Sequence, residues 1–163
     1  MDEREGRQET LKAVLHYFYQ DNTRSGAHSR YDLKYHLVWI TKYRRSFLVG
    51  EMAARLQQVL TEIGHDFGIR IIAQEAMPDH IHMLVEAPPK YSPAMIAQIF
   101  KGISSRKMRQ EFISTVKQHI WKKGALWAQG YYIAGLADGV TTDVVQEYIS
   151  NQKAKYRDPV ARL

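Results

Sequence analysis

Two places in this sequence have residue types and spacing suited to chemistry: His80-Ile81-His82, and Tyr148 followed four residues later by Gln152. If His80–Ala87 (HIHMLVEA) is a strand, alternate side chains share a face. His80, His82, Leu84 and Glu86 then point one way, and the apolar Ile81, Met83 and Val85 point the other, toward a core. Two adjacent neutral imidazoles are potential ligands for a divalent cation. Seven histidines in the chain make one such pair unremarkable by itself. A complete metal site would need a third ligand, for which His36 and Glu86 are the nearby candidates. On a helix, Tyr148 and Gln152 lie one above the other. The glutamine carbonyl is a neutral oxygen ligand suited to a hard cation.

The elements that must position these residues are legible from periodicity and punctuation. Leu33–Thr41 (LKYHLVWIT) is rich in aromatic and β-branched residues and predicts a strand. Met52, Leu56, Val59, Leu60, Ile63 and Phe67 recur at helical spacing, which predicts a helix from about Gly50 to Phe67 that stops near Gly68. Ile69–Ala76 predicts a second strand. Met77-Pro78-Asp79 predicts a turn, and the histidine strand follows as the other arm of an antiparallel hairpin. Ser92-Pro93 is a cap with proline at the first helical position. It opens a long helix to about Ile113 whose apolar side is Met95, Ile96, Ile99, Phe100, Ile103, Met108 and Phe112. Trp127–Leu136 predicts a fourth strand, and Thr141 or Thr142 caps a last helix to about Lys155. The order β-α-β-β-α-β-α predicts an α+β fold of the ferredoxin-like or RRM-like kind, an antiparallel sheet of four to five strands with helices packed on it. Residues 1–29 read as an extension, with a short helix at Leu11–Tyr19 and a turn-prone polar linker. Residues 30–163 read as the main domain.

Composition narrows the function classes. The 163 residues include no cysteine, which excludes a disulfide scaffold, a thiolate zinc site, an iron–sulfur cluster and a thiol nucleophile, and fits a reducing cytoplasm. No apolar run is long enough for a membrane span and the polar, acidic N-terminus is no secretory signal. The net charge is +6, from 23 basic and 17 acidic residues. The bases cluster: Lys101, Arg106, Lys107 and Arg109 fall on the long helix, and Lys42, Arg44 and Arg45 surround Tyr43. Basic clusters beside aromatic residues suggest a polyanion such as nucleic acid. Tyr43, Trp121, Trp127, Tyr131 and Tyr132 are available to stack on unpaired bases, although Trp127 and Tyr132 read better as core residues.

Five segments occur in a particular order: YHLVWITKYRR (35–45), MPDHIHMLVEAPP (77–89), FKGISSRKM (100–108), LWAQGYYIAGL (126–136) and VVQEYISNQ (144–152). Together they resemble the single-tyrosine HUH transposases (TnpA type) of the IS two-hundred/six-hundred-five insertion-sequence family. The likeness covers Tyr31 to Gln152, and the N-terminal extension departs from the family. The resemblance implies that His80 and His82 are the HUH metal ligands, that Gln152 completes the site, and that Tyr148 is the nucleophile. It implies a Mg²⁺- or Mn²⁺-dependent enzyme that cleaves and rejoins single-stranded DNA through a 5′-phosphotyrosine and recognises hairpin ends. It also implies a homodimer, in which one subunit's tyrosine helix can complete the other's site, with Gly135 and Gly139 suited to a hinge. No phosphate-binding GxxxxGK[ST] loop is present, and strand exchange through phosphotyrosine needs no nucleotide cofactor. Two alternatives stay open: a domesticated relative that processes repeated palindromes, and a non-catalytic RRM-like nucleic-acid-binding module.

Overall fold

The computed structural model describes residues 24–120 and 124–136. The described residues up to Asp32 and those from Leu33 onward fall in separate units. In the first, β1 (Arg24–Ser25) and β2 (Arg30–Tyr31) pair antiparallel. The Gly26 amide closes the hairpin on the Ser29 carbonyl at 2.7 Å. The polar segment expected to be only a linker is therefore in part a small hairpin.

The second unit is built on one antiparallel sheet. Its strands are β3 (Lys34–Ile40), β4 (Arg70–Met77), β5 (His80–Glu86) and β6 (Tyr132–Gly135), in the order β4-β5-β3-β6. This is the predicted ferredoxin-like arrangement with four strands. β3 and β5 are central, and their register places Val38 opposite His82 and Ile40 opposite His80.

The core lies on one face of that sheet. Leu37 and Trp39 of β3 and Ile81, Met83 and Val85 of β5 are fully buried there. The helix α1 (Gly50–Phe67) covers them with Met52, Leu56, Val59, Leu60 and Ile63, the residues picked out by periodicity. Gly68 ends this helix at φ 65°, a left-handed conformation that glycine adopts without steric cost. The helix α2 (Pro93–Glu111) begins as predicted: the Ser92 side chain accepts from the Met95 amide at 3.2 Å, and Pro93 occupies the first turn. Its buried residues are Ile96, Ala97, Phe100, Ser104 and Met108, whereas Met95 is exposed rather than part of the apolar face.

Two elements have boundaries that differ from expectation. At Phe112 (φ −117°, ψ 41°) the backbone leaves helical geometry, so α2 stops at Glu111 and a short helix α3 (Ile113–His119) follows. The last strand covers only Tyr132–Gly135, because the Lys101 ammonium captures the carbonyls of Ala128, Gln129 and Gly130, each at 2.9 Å. Trp127 contributes a single bridge to Thr41. Gly135 sits in the sheet ladder opposite Tyr35, a setting unlike that of a hinge. The predicted helices at 11–19 and 141–155, and Gly139, lie outside the described residues. Among the described residues no helix is long and apolar enough to cross a membrane.

Candidate active site

β5 alternates as its sequence requires over its first half: Ile81 and Met83 enter the core, and His80 and His82 are half-buried on the opposite face. The two histidine rings are 4.9 Å apart, centre to centre, at 74°. His80 Nδ1 lies 2.6 Å from Asp79 Oδ1. An ionised carboxylate only accepts, so Nδ1 carries the hydrogen, and in neutral His80 the lone pair is then on Nε2. Burial opposes ionisation of Asp79, but hydrogen bonds from His80 and from Arg44 Nε (3.0 Å) outweigh it and hold the carboxyl below its ordinary pKa.

His82 Nδ1 faces His36 Nε2 at 3.3 Å, with the two rings within 15° of parallel. His36, on β3, is 5% exposed, and burial pushes its pKa down. It therefore contacts a candidate ligand through that ligand's Nδ1. Glu86, the other candidate third ligand, stands four residues beyond His82, roughly 13 Å along the strand. Its carboxylate is 3.6 Å from Arg70. Among the described residues no three His, Asp or Glu side chains come together as a metal site. The nucleophile and third ligand implied by the resemblance, Tyr148 and Gln152, lie outside the described residues.

The hairpin turn that presents His80 is tied to the end of β3. The Asp79 carbonyl accepts from the Thr41 amide at 2.9 Å, and the Pro78 carbonyl accepts from the Leu48 amide at 3.0 Å. Thr41, fully buried, also donates its hydroxyl to the Arg45 carbonyl at 2.7 Å. Between them the chain makes a tight turn at Lys42–Arg44, in which Tyr43 (φ 57°) and Arg44 (φ 53°) are both left-handed. For non-glycine residues this costs about 1–2 kcal/mol each. The turn exposes Tyr43 (61%) and aims Arg44 at Asp79.

The predicted basic residues divide into two groups. Lys101 uses all three ammonium hydrogens on backbone carbonyls, and Lys107 pairs with Glu62 at 2.7 Å. Lys42, Arg106 and Arg109, joined by Lys117 of α3, line a cleft of about 1240 Å³ that runs to Trp127 and Gln129; Lys101 lines it too, but with its ammonium already engaged. Arg45 is exposed beside the tight turn. Among the aromatics, Trp127 is core as expected: it is 1% exposed, and its indole donates to Ser104 Oγ at 3.0 Å. Tyr132, expected in the core, is instead 41% exposed and sets its edge against His36 at 6.0 Å. Its alternate position on β6 puts it on the histidine face. Trp121 lies outside the described residues. The part of this site that reading by residue type missed is Asp79, whose signal was an acid immediately ahead of the histidine pair.

Known proteins resemble this chain along most of its length. The profile of the family described as "Transposase IS200 like" matches residues 29–152. The ISDra2 transposase TnpA of Deinococcus radiodurans is 37% identical over 125 residues, covering 77% of this chain and 87% of that protein. The transposase for insertion sequence element IS200 of Salmonella typhimurium is 34% identical over 129 residues, covering 79% and 82%. A crystal structure of a Deinococcus radiodurans R1 protein described as a candidate transposase superposes with a TM-score of 0.63 at 36% identity, covering 79% of this chain and 97% of that one.

Proposed function

The chain belongs to the IS200-like transposase family, enzymes that act on DNA, and from that premise we propose that it cuts and rejoins single-stranded DNA through Tyr148. The observation that carries this reading is the paired presentation of His80 and His82. They are adjacent on one sheet face, and each has its Nδ1 engaged by a neighbouring side chain. Such outer partners are the usual accompaniment of metal-binding histidines. His80 and His82 fit two positions of a divalent site, and Gln152 would supply the third ligand. All three would bind as neutral ligands and leave Mg²⁺ or Mn²⁺ its full charge, and the chemistry the ion would supply is polarisation of a phosphodiester.

The protein's own part begins with Tyr148. A phenol with a pKa near 10 is a weak nucleophile at neutral pH and requires an activated, aligned phosphate. Its oxygen forms a bond to phosphorus as the bond to the 3′-oxygen breaks, leaving a 5′-phosphotyrosine and a free 3′-OH. A 3′-OH then attacks that phosphorus and releases the phenol, so one ester replaces another and no nucleotide is consumed. Lys42, Arg106, Arg109 and Lys117 provide a basic path for the strand. Lys42 follows Thr41, whose amide donates to the Asp79 carbonyl in the turn before His80. Tyr43 and Tyr132 offer exposed faces for bases. The DNA partner we propose is a hairpin-ended single strand, handled by a homodimer.

The test is covalent trapping. Full-length protein with single-stranded DNA carrying a candidate end and Mg²⁺ or Mn²⁺ should give a protein–oligonucleotide band that chelator abolishes. Tyr148→Phe should remove the band. Its persistence in that variant would overturn the assignment.

A further inference from the structure

The two histidines are held by different kinds of partner. Asp79 settles the tautomer of His80, because a carboxylate cannot donate. His82 faces another imidazole, and a hydrogen bond between His82 Nδ1 and His36 Nε2 at 3.3 Å needs one hydrogen, which either ring can supply. If His36 donates it, neutral His82 carries its own hydrogen on Nε2 and has no lone pair there for a cation. If His82 donates it, Nε2 is left as a base. Only the second arrangement serves a metal site.

We propose that His36 is a positioning residue: it accepts the Nδ1–H of His82 and thereby holds that ring in the tautomer whose Nε2 binds the divalent cation. The inference rests on the reading of His80 and His82 as metal ligands. Its geometry is fixed by the sheet. His36 belongs to the central strand, paired opposite Leu84 on one side and Ala134 on the other. Burial to 5% exposure and the edge of Tyr132 at 6.0 Å confine its ring. A neutral acceptor also adds no negative charge beside His82, so the cation's charge is not offset at that ligand.

The experiment has two arms on the full chain. In the first, the ¹⁵N shifts of metal-free wild type report which His82 nitrogen carries hydrogen; Nδ1–H is expected, and Nε2–H overturns the proposal. In the second, calorimetry measures Mn²⁺ binding to wild type, His36→Leu and His36→Gln. Losing the acceptor should weaken binding by about 10–100-fold. Glutamine, whose amide oxygen can occupy the place of Nε2, should recover most of that loss. Equal Mn²⁺ affinity in wild type and His36→Leu overturns the proposal. Wild type that shows Nδ1–H yet binds no Mn²⁺ overturns the metal assignment beneath it, a distinguishable failure. Should His36→Leu fail to fold, the wild-type tautomer still decides.

Discussion

Arg44 Nε lies 3.0 Å from Asp79 Oδ2, and the other oxygen of the same carboxylate is 2.6 Å from His80 Nδ1. One carboxylate thus ties an exposed turn to a candidate metal ligand. Asp79→Ala should lower Mn²⁺ affinity by about 10–100-fold, as loss of an orienting partner does. Arg44→Gln, which leaves the Asp79–His80 contact in place, should cost less. Calorimetric titration of the two variants checks the order.

The cleft predicts a selective salt response. Each phosphate contact to a single strand contributes about 0.7 to the slope of log affinity against log salt. Arg106→Ala and Arg109→Ala should each reduce that slope, because both side chains line the cleft. Lys107→Ala should leave it unchanged, because that ammonium is paired with Glu62. Oligonucleotide binding measured across a salt series separates these outcomes.

Lys101 predicts a loss of stability. Removing its charge in Lys101→Met leaves the carbonyls of Ala128, Gln129 and Gly130 without their donor; because water can reach Gln129 and Gly130, the cost should be about 1 kcal/mol. Lys101→Arg should not rescue it, because a planar fork cannot reproduce three donors diverging from one nitrogen. Denaturant unfolding measures both.

One turn farther along α2, Ser104 is fully buried and accepts from the indole of Trp127 at 3.0 Å. Ser104→Ala strands a buried donor and should destabilise by about 1–3 kcal/mol. The same unfolding experiment reads it.

The helices α1 and α2 are joined by charge. Arg55 donates to Glu111 at 2.7 Å and to Glu62 at 2.9 Å, and Lys107 donates to Glu62 at 2.7 Å. Hydrogen bonds from Lys107 and then Arg55 lower the pKa of Glu62 below the ordinary 4.5, and the bond from Arg55 does so for Glu111. A carboxyl whose pKa falls on folding stabilises the fold above its unfolded value and loses that contribution as pH drops through its folded value. Wild type should therefore melt above Glu111→Gln at neutral pH, and the gap should close once pH falls well below 4.5. Added salt should narrow it too. Thermal melts across pH and salt test this.

What the sequence disclosed follows from the range of the interactions involved. α1 was legible because Met52, Leu56, Val59, Leu60 and Ile63 encode its buried stripe within one segment. The β4–β5 hairpin was legible because Pro78-Asp79 separates two runs of strand residues. The fourth strand was overestimated because its limit is set by Lys101, 28 residues before Gln129 and invisible to local pattern. Tyr132 was misplaced for a related reason: aromatic residues within an apolar run look like core until register assigns their faces. Local alternation put the two histidines on a common face, whereas the pairing of His36 with His82 joins residues 46 apart. Lys107 and Arg106 are neighbours in a basic run, and only the packing of α1 against α2 gives one of them an acid to neutralise it.

β3 is hydrogen-bonded to β5 along one edge and to β6 along the other. Its central amides should trade hydrogen with solvent only when the sheet itself opens, later than those at frayed edges. The histidine floor is then an anvil: motion in this unit falls to its rims, while the floor stays still.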